Sequence, residues 1–388
     1  MRLNQAEGEQ LGVEVAAAEP LASNLLPTPR GVWPDAVSHG GPDHAELARL
    51  GLRADRLLDF SVNSNPLGAS PRAVRALGAV DVSRYPDRES LGLRAALAAA
   101  HDVRLDEVLT GNGSVELIWL LAQVYLEAGD RAMIVGPTFG EYEAAVRRQG
   151  ADPIVVAAQQ ADDFQPCAED LVTLVGMTRP RVIFLCNPNN PTGQAVELET
   201  LRRLLAARGE TLLVVDEAYL DFAEGVLSAL DLRRDPRVVV LRSLTKNFGL
   251  AGLRLGYAVA APAVIEALRR AQAPWSVNAL AQAAGVAALG DAEHLLAGVQ
   301  LARLARTYLA DGLASVGLRC LPSRTNFWLV EVGDVPELRR RLLGRGILVR
   351  DCASFGLPRH VRLAARPLDA CARLVATLST LLPMHTER

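Results

Sequence analysis

The sequence predicts an α/β protein, with a mostly parallel, mixed sheet covered by helices on both faces and a smaller α+β domain after it. Three observations lead there. From about Leu57 to Asn278, apolar runs of strand length alternate with amphipathic stretches of helical period. Several of those runs end in glycine-, proline- or acid-rich turns, and the carboxyl ends of strands are where open α/β sheets bind ligands. After about Asn278 a long helical region leads into a separate set of strands and a final helix.

The elements follow in order. A short strand runs into the glycine-rich turn Thr110-Gly111-Asn112-Gly113-Ser114-Val115-Glu116, and a helical run from Leu117 to Leu126 comes next. Free N–H groups at such a helix start attract anions. Strands are expected at Arg131 to Gly136, Asp152 to Ala157, Arg181 to Asn187, Thr211 to Ala218, Arg237 to Leu244 and Gly256 to Ala260, separated by helices such as Val196 to Arg208. The second set is expected near Leu318 to Val332, Ile347 to Asp351 and His360 to Ala365.

With 388 residues, half of them hydrophobic, 22% charged and a net charge of −3, the chain is long enough for a sizeable core and carries no basic excess that would call for a nucleic-acid partner. The five cysteines (Cys167, Cys186, Cys320, Cys352 and Cys371) are widely spaced, without a CxxC pair, and are expected to be reduced thiols that hold no metal. Residues 1–38 form an N-terminal arm with scattered acids and no continuous apolar segment, so neither a signal peptide nor a membrane anchor is expected and the reading is cytoplasmic. That arm is also too short and too acidic for a DNA-binding domain, which counts against a ligand-sensing transcription regulator.

The chemistry centres on Lys246, which closes Ser243-Leu244-Thr245-Lys246 eight residues before Arg254. A lysine in a desolvated pocket supplies the amine that condenses with an aldehyde cofactor. Pyridoxal phosphate also needs a carboxylate to keep its ring nitrogen protonated. Asp216, at the end of the apolar run Thr211 to Val215, fits that role. Alone, each residue has an ordinary explanation, a solvated lysine or a helix-capping aspartate. The order Asn187-Pro188-Asn189-Asn190-Pro191-Thr192-Gly193, then Asp216-Glu217-Ala218-Tyr219, then Ser243 to Lys246, then Gly252 to Tyr257 resembles the fold type I pyridoxal phosphate enzymes, the family of aspartate and histidinol-phosphate aminotransferases.

The resemblance implies a fold and individual roles. Asn190 and Tyr219 would bond the cofactor's phenolic oxygen. Ser243 and Arg254 would hold its phosphate with Gly113, Ser114 and Val115, and Phe139 would lie on its ring. Tyr85 would reach the cofactor phosphate of a neighbouring subunit, which implies a homodimer. The large cofactor domain would span 78–278, and a discontinuous small domain would combine 39–77 with 279–388.

Arg362 matches the arginine that grips a substrate α-carboxylate, the resemblance also puts Asn190 against the substrate, and Arg366 is left open between substrate contact and structure. Three segments resemble the threonine-phosphate decarboxylases of cobalamin synthesis: His39-Gly40-Gly41 with Leu57 to Gly68, Pro274 to Leu280, and Val349-Arg350-Asp351-Cys352. In that subgroup the counterparts of His39, Asn63 and Arg350 hold the substrate phosphate, a task suited to an imidazole, an amide and a guanidinium. The expected activity is decarboxylation of L-threonine O-3-phosphate. The loop Lys246 to Arg254 instead resembles histidinol-phosphate aminotransferases, which keeps transamination with 2-oxoglutarate as the alternative, and a decarboxylase of another phosphorylated or phosphonate amino acid as a third.

Overall fold

A computed structural model describes residues 37–207 and 209–382. Most of the expected N-terminal arm lies outside them. Among the described residues thirteen strands form three sheets: β1 (Leu58–Asp59), β2 (Val108–Asn112), β3 (Arg131–Gly136), β4 (Asp152–Ala157), β5 (Val182–Cys186), β6 (Leu212–Asp216), β7 (Val238–Ser243), β8 (Leu255–Ala260), β9 (Arg319–Cys320), β10 (Phe327–Glu331), β11 (Ile347–Leu348), β12 (Arg350–Asp351) and β13 (His360–Ala364).

The large sheet has the order β2-β8-β7-β6-β5-β3-β4, and β8 runs antiparallel to both its neighbours while the other pairings are parallel. Side chains alternate across it. Ile183 and Leu185 of β5 join Leu213 and Val215 of β6 in one core, and Val182 and Phe184 join Leu212 and Val214 in the core on the opposite face. Apolar side chains on both faces explain why these runs read as continuously hydrophobic rather than alternating.

A third core gathers β10, β13, the helices Ala292–Ser315 and Leu368–Leu381, and Phe60 from the N-terminal side. Its four-stranded antiparallel sheet has the order β12-β13-β10-β9, and β1 pairs in parallel with β11.

Four expectations shift. The helix Gly113–Tyr125 starts at the glycine turn itself rather than at Leu117, because Gly113 takes a left-handed φ of 78° that no side chain obstructs. The run expected from Leu318 to Val332 is two strands separated by a turn, in which Ser323 Oγ donates to the Phe327 carbonyl. The stretch Ile347 to Asp351 is likewise split between β11 and β12, which belong to different sheets. Ala73 of the helix Pro71–Leu77 and Ala281, Ala284 and Ala288 of the helix Ala279–Leu289 pack into a core of the large sheet, although both segments were expected in the small domain. Small alanines on the facing helices allow that close packing.

Candidate active site

The site lies along the carboxyl edge of the large sheet, where the chain leaves β2, β3, β5, β6 and β7 and enters the antiparallel β8. A cavity of about 590 Å³ opens there. Lys246 stands in the short helix Leu244–Asn247 immediately after β7, with its backbone held by Asn65. Asn65 N–H donates to the Lys246 carbonyl at 2.8 Å, and its Nδ2 donates to the Asn247 carbonyl at 2.8 Å. Burial lowers the lysine amine from its usual range to about 8, with Arg362 and Arg254 pushing the same way and Asp216 opposing. A neutral, nucleophilic amine is therefore accessible near physiological pH.

Alternation along β6 turns Asp216 to the face that carries Leu212 and Val214, and there it meets Tyr142, whose hydroxyl donates to Asp216 Oδ2 at 2.8 Å. The Ala218 N–H donates to Oδ1. Burial raises the carboxyl's pKa, and the Tyr142 and Ala218 bonds and Lys246 pull it back down. Tyr142 stacks on Phe184 at 5.5 Å and meets Phe139 edge-on at 5.7 Å, so one run of rings fixes the walls around Asp216. Tyr219 is buried, with its ring 5.9 Å from Lys246 Nζ and its phenol pushed up to about 12, chiefly by burial.

The anion cradle follows from two glycines. A Cβ on Gly113 would come within 2.7 Å of the Arg254 guanidinium, and one on Gly256 within 2.4 Å of the Ser114 nitrogen. The helix Gly113–Tyr125 thus begins pressed against β8 with Arg254 alongside, and its first N–H groups lack intrahelical acceptors. Ser243 and Thr245 share a hydrogen bond of 2.6 Å on the same wall.

The opposite wall comes from the small sheet. Arg350 and Arg362 stand directly across from each other on β12 and β13, which puts two guanidinium groups on one face. Both are buried, and neither has a carboxylate within ion-pair distance among the described residues. Arg362 donates to Asn190 Oδ1 and, at 2.6 Å, to the Ser61 carbonyl. Arg350 donates to Ser38 Oγ at 3.0 Å, to the Ser38 carbonyl at 2.7 Å and to Ser354 Oγ at 2.7 Å. Burial lowers the pKa of each arginine. Two unneutralised buried cations side by side are costly unless an anion comes between them.

His39, Asn63, Arg350 and Arg362 all line this cavity, as do Lys246, Asp216, Tyr219, Asn190, Ser243, Arg254, Phe139 and the turn Gly113 to Val115. Tyr85 does not. It is 79% exposed and stacks on Trp275 at 4.6 Å. Arg366 is also away from the cavity, since its three guanidinium nitrogens donate to the carbonyls of Asp59, Ala365 and Val62. Sequence reasoning passed over Tyr142, Ser38, Ser354 and Glu141. Glu141 and Tyr142 follow Phe139 within three residues, but their partners Asp216, His39 and Trp119 lie far away in the chain.

A family model described as aminotransferase class I and II matches residues 55–378. This chain belongs to that family. It is 41% identical to a histidinol-phosphate aminotransferase of Symbiobacterium thermophilum over 88% of this chain and 95% of the relative. A histidinol-phosphate aminotransferase of Halorubrum lacusprofundi is 38% identical over 87% and 92%. Among solved structures, the histidinol-phosphate aminotransferase of Sinorhizobium meliloti in complex with pyridoxal-5'-phosphate aligns with a TM-score of 0.80 at 26% identity, covering 89% of this chain and 95% of that one.

The protein is a fold type I pyridoxal 5'-phosphate enzyme of the aminotransferase class I and II family. Its own residues fit the cofactor: a buried amine of lowered basicity, a buried carboxylate across from it, and a glycine cradle beside a free arginine face that any Cβ would obstruct. Lys246 would carry it, Asp216 would hold its ring nitrogen, and Arg254, Ser243 and the Gly113 turn would hold its phosphate. The named relatives favour the alternative of transamination over the expected decarboxylation, because they are named histidinol-phosphate aminotransferases and not threonine-phosphate decarboxylases. No helix among the described residues is long and apolar enough to cross a membrane.

Proposed function

We propose that this enzyme is an aminotransferase that exchanges an amino group between a phosphorylated amine, with histidinol phosphate first among candidates, and a 2-oxo acid such as 2-oxoglutarate. One observation carries the phosphate preference: Arg350 and Arg362 face the cavity as paired cations, directly opposite in register and without carboxylate partners among the described residues. A phosphate dianion or a carboxylate satisfies such a pair, and each partner of the exchange brings one.

When bound, pyridoxal phosphate supplies an electron sink for the bond broken at the substrate's Cα. The chain supplies the rest. Asp216, held by Tyr142, would keep the ring nitrogen protonated. Tyr219 and the Nδ2 of Asn190 would bond the ring oxygen, since Asn190 Oδ1 is already committed to Arg362. Lys246 takes the proton from Cα and returns it elsewhere, which its lowered basicity suits. His39 and Asn63 join Arg350 around the phosphate, and the proposed working unit is a homodimer in which Tyr85 reaches the neighbouring site.

A second reading, decarboxylation of L-threonine O-3-phosphate, draws on the same arginine pair. One substrate that carries both a carboxylate and a phosphate would engage Arg362 and Arg350 together, with His39 beside them. The deciding experiment gives purified, cofactor-loaded protein histidinol phosphate with 2-oxoglutarate in one vessel and L-threonine O-3-phosphate alone in another. Glutamate formation in the first supports the aminotransferase. Carbon dioxide from the second, without glutamate in the first, replaces it with the decarboxylase.

A further inference from the structure

Glu141 is a buried carboxylate, 7% exposed, at the margin of the active-site cavity, and the chemistry derived so far gives it no task. Both its oxygens are committed. Oε1 lies 2.9 Å from Nε2 of His39, and Oε2 accepts from the Trp119 indole N–H at 2.8 Å. The contact with His39 is the leading reason its carboxyl is held below the usual range, with Trp119 adding to it. Trp119 belongs to the helix Gly113–Tyr125, whose first turn forms the anion cradle, so the carboxylate is anchored to the rigid side of the site. His39 is on the other side of the contact. Its side chain is half exposed, it follows Ser38 whose carbonyl and hydroxyl receive Arg350, and its ring lies 5.7 Å from that of Phe139.

We propose that Glu141 is a positioning residue for the substrate's phosphate: through His39 Nε2 it fixes the imidazole at the cavity wall and presents Nδ1 toward the anion held by Arg350. With Nε2 engaged by the carboxylate, Nδ1 is the ring nitrogen left to meet the phosphate. A carboxylate behind a ligand histidine sets the direction of that ring. The arrangement lets a surface-exposed histidine act with the precision of a buried one. Without Glu141 the ring would rotate freely and the entropy of fixing it would fall on substrate binding.

This inference rests on the phosphate reading above, and the test separates the two. In the holoenzyme, KM and kcat are measured for histidinol phosphate and for histidinol, and in parallel for L-threonine O-3-phosphate and L-threonine. Variants are Glu141→Gln, which keeps the size but removes the charge and one acceptor, His39→Ala, and the double variant. Glu141→Gln is expected to raise KM for the phosphorylated substrate about tenfold, the loss of one charge-assisted hydrogen bond, with kcat and the cofactor's visible absorbance retained. For the substrate lacking phosphate, KM is expected to stay unchanged. The double variant is expected to match His39→Ala alone, because Glu141 acts through that ring. Equal KM values for phosphorylated and unphosphorylated substrates in the parent enzyme would overturn the phosphate reading, and the inference with it. A parent that discriminates, paired with a Glu141→Gln variant of unaltered KM or with additive losses, would overturn the role of Glu141 alone.

Discussion

Lys246 and Arg350 make their predictions as single residues. Lys246→Ala is expected to abolish both the cofactor's visible absorbance after dialysis and all turnover, and a variant that still turns over would remove the lysine from the chemistry. Because the folded-state amine is lowered to about 8, the free-base fraction rises with pH below that value and saturates above it. The rate at which cofactor-free protein recaptures pyridoxal phosphate should therefore climb up to about pH 8 and level off, as stopped-flow absorbance would follow. Arg350→Met is expected to weaken the phosphorylated substrate about 100-fold, the cost of removing one partner of a buried charged contact, with the cofactor spectrum intact. Lys246, Asp216 and Arg254 were legible in the sequence because the cofactor demands an amine, a carboxylate and a guanidinium at positions set by consecutive strand ends. Tyr142 was not, since its role depends on the Asp216 side chain arriving from another strand, and a Tyr in the first turn of the helix Glu141–Arg148 looks the same in sequence with or without such a partner. Glu141 escaped notice for the same reason.

Among elements, the segment from Asp59 to Asn65 is held by side chains rather than by a long ladder, since β1 pairs over only Leu58 and Asp59. Arg366 ties it down through the Asp59 and Val62 carbonyls, and Ser61 lends its carbonyl to Arg362. Arg366→Met should lower stability by about 3 kcal/mol, because it strands carbonyls that a charged donor had satisfied. Chemical denaturation read by tryptophan fluorescence measures this, and an unchanged midpoint would show that water replaces the guanidinium freely. Strand alternation alone left Arg366 open between substrate and structure. The strand ends at Ala364, so period-2 reasoning no longer governs a residue two places on. The large-sheet strands, by contrast, were legible to within a residue or two because their apolar runs are uninterrupted, and in β5 to β8 every residue is buried. In the small sheet β13 was equally legible, whereas β9, β11 and β12 are two residues each, too short to leave a periodic signal.

Over the whole molecule, Tyr85 stands 79% exposed against Trp275, itself 46% exposed and held at a φ of +56°. Two large rings in water are an incomplete surface. Sedimentation should show a dimer, and mixing Tyr85→Phe protein with Lys246→Ala protein should yield hybrids whose activity differs from the average of the parents, because the proposal gives each site a ring from the other subunit. Activity that follows simple averaging would return Tyr85 to its own chain. The single stretch from Asp59 to Asn65 also carries a consequence for how this enzyme can change. It meets Lys246 through Asn65 and Arg362 through Ser61, the two residues to which the proposed function gives cofactor attachment and anion binding. Recognition and catalysis therefore hang from one thread, and a substitution that retunes the substrate also pulls on the lysine. Under the proposed function, new specificities are more easily reached from Ser38 and Ser354, which bond Arg350, and from His39 at the cavity wall, all of which leave that thread slack.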